Sequence, residues 1–194
     1  MKARFTSAQR HYLLPAVLAA ATTVAAVSPS FAGDEHDQRM TLHSATFADG
    51  GTLPLSMIST WRHAPPDTRS FIVIAYDVTA QFTHWQMYNI PADTTSLPQN
   101  AGTPGSVYGI ESGNDFFQPN YSGPCPPPNL APHAHKYEFT VYALDRFLPV
   151  VHTFGDFVPA GPEGLYQELI EASRHGHVLA SATIAGFFSA ADGK

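Results

Sequence analysis

Three stretches of this 194-residue chain place a polar group where an apolar segment gives way to a loop, the usual position of a binding site. Asp77 closes the run Phe71-Ile72-Val73-Ile74-Ala75-Tyr76, and His84 opens the segment His84–Ile90. Gly123-Pro124-Cys125-Pro126-Pro127 is followed by His135-Lys136-Tyr137. Imidazoles exchange protons near neutral pH, a carboxylate accepts hydrogen bonds, and a thiol attacks only as thiolate. Taken singly, each residue has a plainer reading: a turn-forming aspartate, a structural histidine, a small buried thiol. Cys125 has no sequence-adjacent base, and an apolar setting would raise its pKa.

Other chemistry finds less support. His133-x-His135 and His175-x-His177 are the close histidine pairs. On a strand such a pair faces one way and could share a metal, but no Asp, Glu or Cys stands at matching spacing, so no metal is expected. There is no phosphate-binding G-x-x-x-x-G-K-[ST], no G-x-G-x-x-G, no G-x-S-x-G and no H-E-x-x-H. Gly105-Ser106-Val107-Tyr108-Gly109 carries its serine in the second position and is no nucleophile elbow. A cofactor-free, non-enzymatic protein is expected.

The elements that must position these residues are mostly strands. Residues 71–76 form a continuous apolar and β-branched run, as in a strand buried on both faces, after the turn signal Pro65-Pro66-Asp67. Residues 84–90, ended by Pro91, and 137–144 read as two more strands, with weaker ones near 41–47 and 178–188. Residues 93–134 read as a long irregular region whose aromatics, Tyr108, Phe116, Phe117 and Tyr121, argue that it packs. One helix starts at Gly161-Pro162-Glu163, buries Leu165, Leu169 and Ala172, and stops at His175-Gly176. The sum is a β-dominated single domain.

Composition sets the outer limits. The chain is 44% hydrophobic and 12% aromatic, too apolar for disorder, and its one Cys excludes an internal disulfide scaffold. A formal charge of −6 argues against a nucleic-acid partner. Residues 1–32 have the form of a signal peptide: Lys2, Arg4 and Arg10, an apolar run from Leu13 to Val27, then Ser30-Phe31-Ala32 before Gly33. That run is short for a membrane span, so the processed chain is not expected to be an integral membrane protein. Cleavage after Ala32 would remove three basic residues and no acidic ones, taking the charge from −6 to −9. Residues 33–40 read as a flexible start, and 41–190 as the domain. A periplasmic or secreted location follows.

The ordered motifs resemble the phosphatidylethanolamine-binding protein family, also called Raf kinase inhibitor protein-like, in its bacterial YbhB/YbcL form. They are Phe47-x-Asp49-Gly50, Pro65-Pro66-Asp67-Thr68-Arg69-Ser70-Phe71, His84-Trp85, Asn89-Ile90-Pro91-Ala92, Tyr121-Ser122-Gly123-Pro124-Cys125-Pro126-Pro127 and His135-Lys136-Tyr137. Tyr142-Ala143-Leu144-Asp145, His177-Val178-Leu179-Ala180 and Gly186 complete the set. The family's D-P-D-x-P is here Asp77-Val78-Thr79-Ala80, which keeps the first acid and loses the second acid and both prolines.

The resemblance implies an antiparallel β-sandwich with one or two short C-terminal helices and a small anion pocket at one end. Carried over by position, Asp77, His84, His135 and Tyr137 would form the pocket, with Cys125, Pro126 and Pro127 as its wall. Trp85 belongs either there or in the core. Asp77 would orient a histidine rather than touch the anion. The implied ligand is phosphate or a phospholipid headgroup. The alternative is a modulator of a protease or kinase, acting through the 93–120 loop or the C-terminal stretch.

Overall fold

A computed structural model describes residues 39–54, 58–151 and 161–191. The expected leader, residues 1–32, and most of the polar start at 33–40 lie outside them.

Nine strands and one helix follow one another along the described residues: β1 (Thr41–Ser44), β2 (Gly51–Thr52), β3 (Ser59–Arg62), β4 (Ser70–Asp77), β5 (Phe82–Pro91), β6 (Ser96–Leu97), β7 (Ile110–Ser112), β8 (Ala134–Leu144), α1 (Glu163–Arg174) and β9 (Val178–Ser189). The three central runs read from sequence are β4, β5 and β8. Six strands make one sheet in the order β2-β9-β8-β4-β5-β7, and β1-β3-β6 make a second. Pairing is antiparallel except for β2 against β9. The six-stranded sheet is mixed through this one two-residue pairing, and the remainder is the antiparallel β arrangement expected from sequence.

β4 is buried on both faces, as its unbroken apolar sequence requires. Phe71, Val73 and Ala75 join Trp61, Trp85, Phe139 and Ile184 in one core, formed with residues of the smaller sheet. Ile72 and Ile74 point the other way, to Leu165, Leu169 and Ala172 of α1. The helix carries Glu163 in its first turn and ends at His175, after which Gly176 turns with φ 73°. Gly50 turns with φ 74° and hands its N–H to Ala185, whose own N–H donates to Asp49 Oδ1. The early F-x-D-G stretch is therefore a clamp between β1 and β9.

Candidate functional site

Two irregularities of β5 decide what its side chains do. The first is at Asn89, which lies at φ 56°, a left-handed conformation that asparagine tolerates better than most residues. Its side chain accepts from the Leu148 N–H and donates to the Leu148 carbonyl, fixing the chain on the helix side. The second is at His84. Ala75 pairs with Trp85 and Tyr76 with Thr83, so His84 is the extra residue of a bulge. Bulges re-aim side chains, and this one turns His84 toward the strand ends rather than into the ladder.

There His84 meets the C-terminal end of β4 and the start of β8. Asp77 is the last residue of β4, paired with Tyr137, and His135 lies two residues earlier on the same face of β8. Asp77, Ala80, Phe82, His84, Phe116, Cys125, Pro126, Pro127 and His135 line one cavity of about 200 Å³. Six of the seven residues expected from sequence are brought together as its lining. The seventh, Tyr137, is 2% exposed and sits behind them, its ring 5.3 Å from that of His84 and edge-on to it. Trp85, left open by sequence, is in the core, its Nε1–H donating to Glu111 at 2.7 Å.

Every hydrogen bond in the cavity wall is directional. Asp77 Oδ1 accepts from the N–H groups of Thr79 and Ala80, each at 2.9 Å, and Oδ2 takes His135 Nδ1 at 2.6 Å. The carboxylate therefore orients His135 and has little capacity left for an occupant. His84 Nδ1 donates to the Ser122 carbonyl at 2.8 Å, since a carbonyl can only accept. Both rings are thus fixed through Nδ1, and Nε2 of each is the ring nitrogen left for a ligand. The Tyr137 hydroxyl is fully buried without a hydrogen-bond partner, although the Asp77 carboxylate and the Cys125 main chain come near it.

Burial lowers the His84 pKa below its ordinary 6.5, partly offset by the Ser122 carbonyl and the Asp77 charge. Burial and the Asp77 charge raise that of Tyr137, keeping it an O–H donor. Cys125 is exposed at the rim, where a buried thiol was the plainer expectation. The chain turns outward there between buried Pro124 and Pro126. Partial desolvation and the Asp77 charge still raise its thiol, which disfavours the nucleophilic thiolate.

A residue that sequence reading missed holds the site together. Asn114 is completely buried. Its Nδ2 donates to the carbonyls of His84 and Asn120 and to Ser122 Oγ, while Oδ1 accepts from the N–H groups of Phe116 and Gln118. The adjacent Asp115 pairs with Thr83 through main chain and carboxylate. This Asx turn welds the loop to the His84 bulge. It also corrects part of an expectation: Tyr108 and Tyr121 pack on the core and Phe116 packs edge-on against Phe82 and His84, but Phe117 is 53% exposed at φ 58°. Asn-Asp before two aromatics was the available signal. The lining positions Phe82 and Ala80 carried none beyond their closeness to His84 and Asp77.

Of the histidines in the close pairs, His135 lines this cavity. His133 is exposed just before β8, and His177 binds Asp145 through Nδ1 at 3.1 Å. Among the described residues no group of three His, Cys, Asp or Glu is placed to hold a metal. None of their helices is long and apolar enough to cross a membrane.

A mainly β domain of two sheets with one packed helix, and a small histidine- and proline-lined cavity at the strand ends, defines the class. The chain belongs to the phosphatidylethanolamine-binding protein family, which matches residues 34–189. A UPF0098 protein of Aquifex aeolicus is 33% identical over 162 residues, covering 77% of this chain and 88% of the relative. The Escherichia coli UPF0098 protein YbhB is 35% identical over 138 residues, 66% of this chain and 78% of its own. The crystal structure of Escherichia coli YbcL, described as a new member of the mammalian PEBP family, superposes with a TM-score of 0.62 at 26% identity. That alignment covers 78% of this chain and 98% of YbcL. Family membership supports a binding protein, and neither the family's name nor these relatives' names is that of an enzyme.

Proposed function

We propose that this is an exported, non-enzymatic binding protein whose cavity takes a small oxyanion of the phosphate or phospholipid-headgroup class. The observation that carries this reading is the pair of imidazoles, each fixed through Nδ1 and each leaving Nε2 at one cavity. Tyr137 backs them from behind the lining, its ring edge-on to that of His84. An opening of about 200 Å³ is below the range of drug-sized pockets and suits a headgroup fragment or a free anion. The protonated Cys125 thiol argues for binding rather than covalent chemistry. Export rests on the leader pattern of residues 1–32.

Calorimetric titration of the purified protein with phosphorylethanolamine and with inorganic phosphate tests the reading. Saturable binding that His135→Ala weakens at least tenfold supports it, and no binding in a folded sample rejects it. Thr79 stands where the family carries a second acid, and its Oγ1 accepts the Lys136 N–H. Thr79→Asp is expected to shift preference toward the ammonium-bearing ligand; an unchanged ratio of affinities counts against a role for that position.

One observation favours a second reading, a modulator of a protein target such as a protease or kinase. Phe117 is a bulky residue in a left-handed conformation, 53% exposed in the turn whose main chain Asn114 holds. Such a residue, next in sequence to the cavity-lining Phe116, fits a partner's apolar pocket. Pull-down with wild-type bait and not with Phe117→Ala bait supports this reading.

A further inference from the structure

The cavity is built for an anion but has no fixed positive charge. Its lining contains neither Lys nor Arg, and Asp77 brings a carboxylate. Lys136, next in sequence to His135, is turned away on β8 and its Nζ pairs with Glu138 at 2.6 Å. The ring donors are also spent. With Nδ1–H of His84 on the Ser122 carbonyl and Nδ1 of His135 on Asp77, each neutral ring presents a lone pair at Nε2. A fully ionised oxyanion would meet two acceptors there, because the Tyr137 hydroxyl is buried behind the lining.

Resting on the anion-binding reading above, we propose that the site takes its oxyanion together with one proton, held between the anion and Nε2 of His84. That proton converts a lone pair into a charged donor and balances the charge brought in. It comes from the buffer, and no bond other than N–H forms.

His84 is the ring suited to gain it. The titratable and charged groups around it are Asp77 from β4, His135 and Tyr137 from β8, and Asp115 and Cys125 from the 113–133 loop. Asp77 is already committed to His135 and to two main-chain N–H groups. Asp115 is committed to the Thr83 N–H. His84 instead faces a neutral carbonyl and is desolvated, so the empty protein keeps it uncharged at pH 7. An anion against Nε2 reverses that balance.

The test uses the purified full chain and two probes, glycerophosphorylethanolamine and inorganic phosphate. The first is a diester that does not titrate near neutrality, so any proton taken up with it goes to the protein. It also separates a headgroup ligand from a free phosphate. Calorimetry at pH 7.5 in two buffers of different ionisation enthalpy counts the protons. Close to one proton per diester bound is expected, with affinity falling about tenfold per pH unit above pH 7.

His84→Gln places an amide N–H near the former Nε2 without a titrating group. The variant is expected to bind with the pH slope flattened and the uptake near zero. Uptake near zero in the wild-type protein overturns the proposal, as does uptake that persists in His84→Gln and disappears in His135→Gln. The wild-type count decides the matter by itself if a variant does not fold. Absence of binding by either probe overturns the anion reading, and the proposal with it.

Discussion

Glu111 and Asn114 stand three residues apart, both buried, and the fold treats them in opposite ways. Asn114 uses both ends of its amide to join the His84 bulge, the Phe116–Gln118 turn and Ser122. Glu111 has one oxygen on Trp85 Nε1–H and the other buried with no partner. Burial raises its pKa from 4.5 to about 8, so the carboxyl is carried protonated at neutral pH. The first polar group braces two residues of a cavity wall, His84 and Phe116; the second does not line that cavity. Burial of a polar group marks a site where its partners converge on an opening, and is a cost where they do not.

Breaking the first half of that comparison has the largest expected effect. Asn114→Ala leaves the Asn120 carbonyl and the Phe116 and Gln118 N–H groups without their partner, and should destabilise the protein by about 3 kcal/mol in urea unfolding. Phosphate binding should weaken with it, because the bulge that aims His84 loses its brace. A change in stability below about 0.5 kcal/mol contradicts the assigned role.

Glu111→Gln sharpens the second half and acts with the opposite sign. Between pH 4.5 and about 8 the unfolded chain releases a proton that the folded chain keeps. The Glu111 contribution is therefore fully present below pH 4.5 and is lost as pH rises toward 8. The glutamine variant, neutral in both states, should be more stable than wild type by about 1–3 kcal/mol at pH 8. The difference should shrink toward pH 4.5. Equal pH profiles from thermal melts would show that Glu111 is ionised in the fold.

The smallest effect belongs to Phe117. Glycine adopts φ 58° without steric cost, and Phe117 is 53% exposed, so little burial is lost. Phe117→Gly should stabilise by about 0.5 kcal/mol, after the added entropy of the unfolded chain. Affinity for phosphate should not change.

Much of this could be read from the residues. Long apolar runs carry their own signal, and β4, β5 and β8 fall on 71–76, 84–90 and 137–144 with one to three residues added at the ends. Strands of two to four residues, such as β2, β6 and β7, have no room for a periodicity and were not legible. At the cavity, family motifs named Asp77, His84, Cys125, Pro126, Pro127 and His135, which the fold brings together in one lining. They could not show that His84 is a bulge residue, because register is a property of two strands. Nor could they show which ring nitrogen is engaged, because Ser122 lies 38 residues from His84 and Asp77 lies 58 from His135. The exposure of Cys125 and Phe117 depends on backbone geometry around prolines and an Asx turn, which residue hydrophobicity does not encode.

The central claim is that an oxyanion sits between two particular imidazoles. Histidine NMR during a titration with inorganic phosphate tests it most directly. Saturable shifts at His84 and His135, with His63, His175 and His177 unmoved, are the predicted result. Shifts spread evenly over the histidines, or none at His84 and His135 in a folded sample, would contradict it.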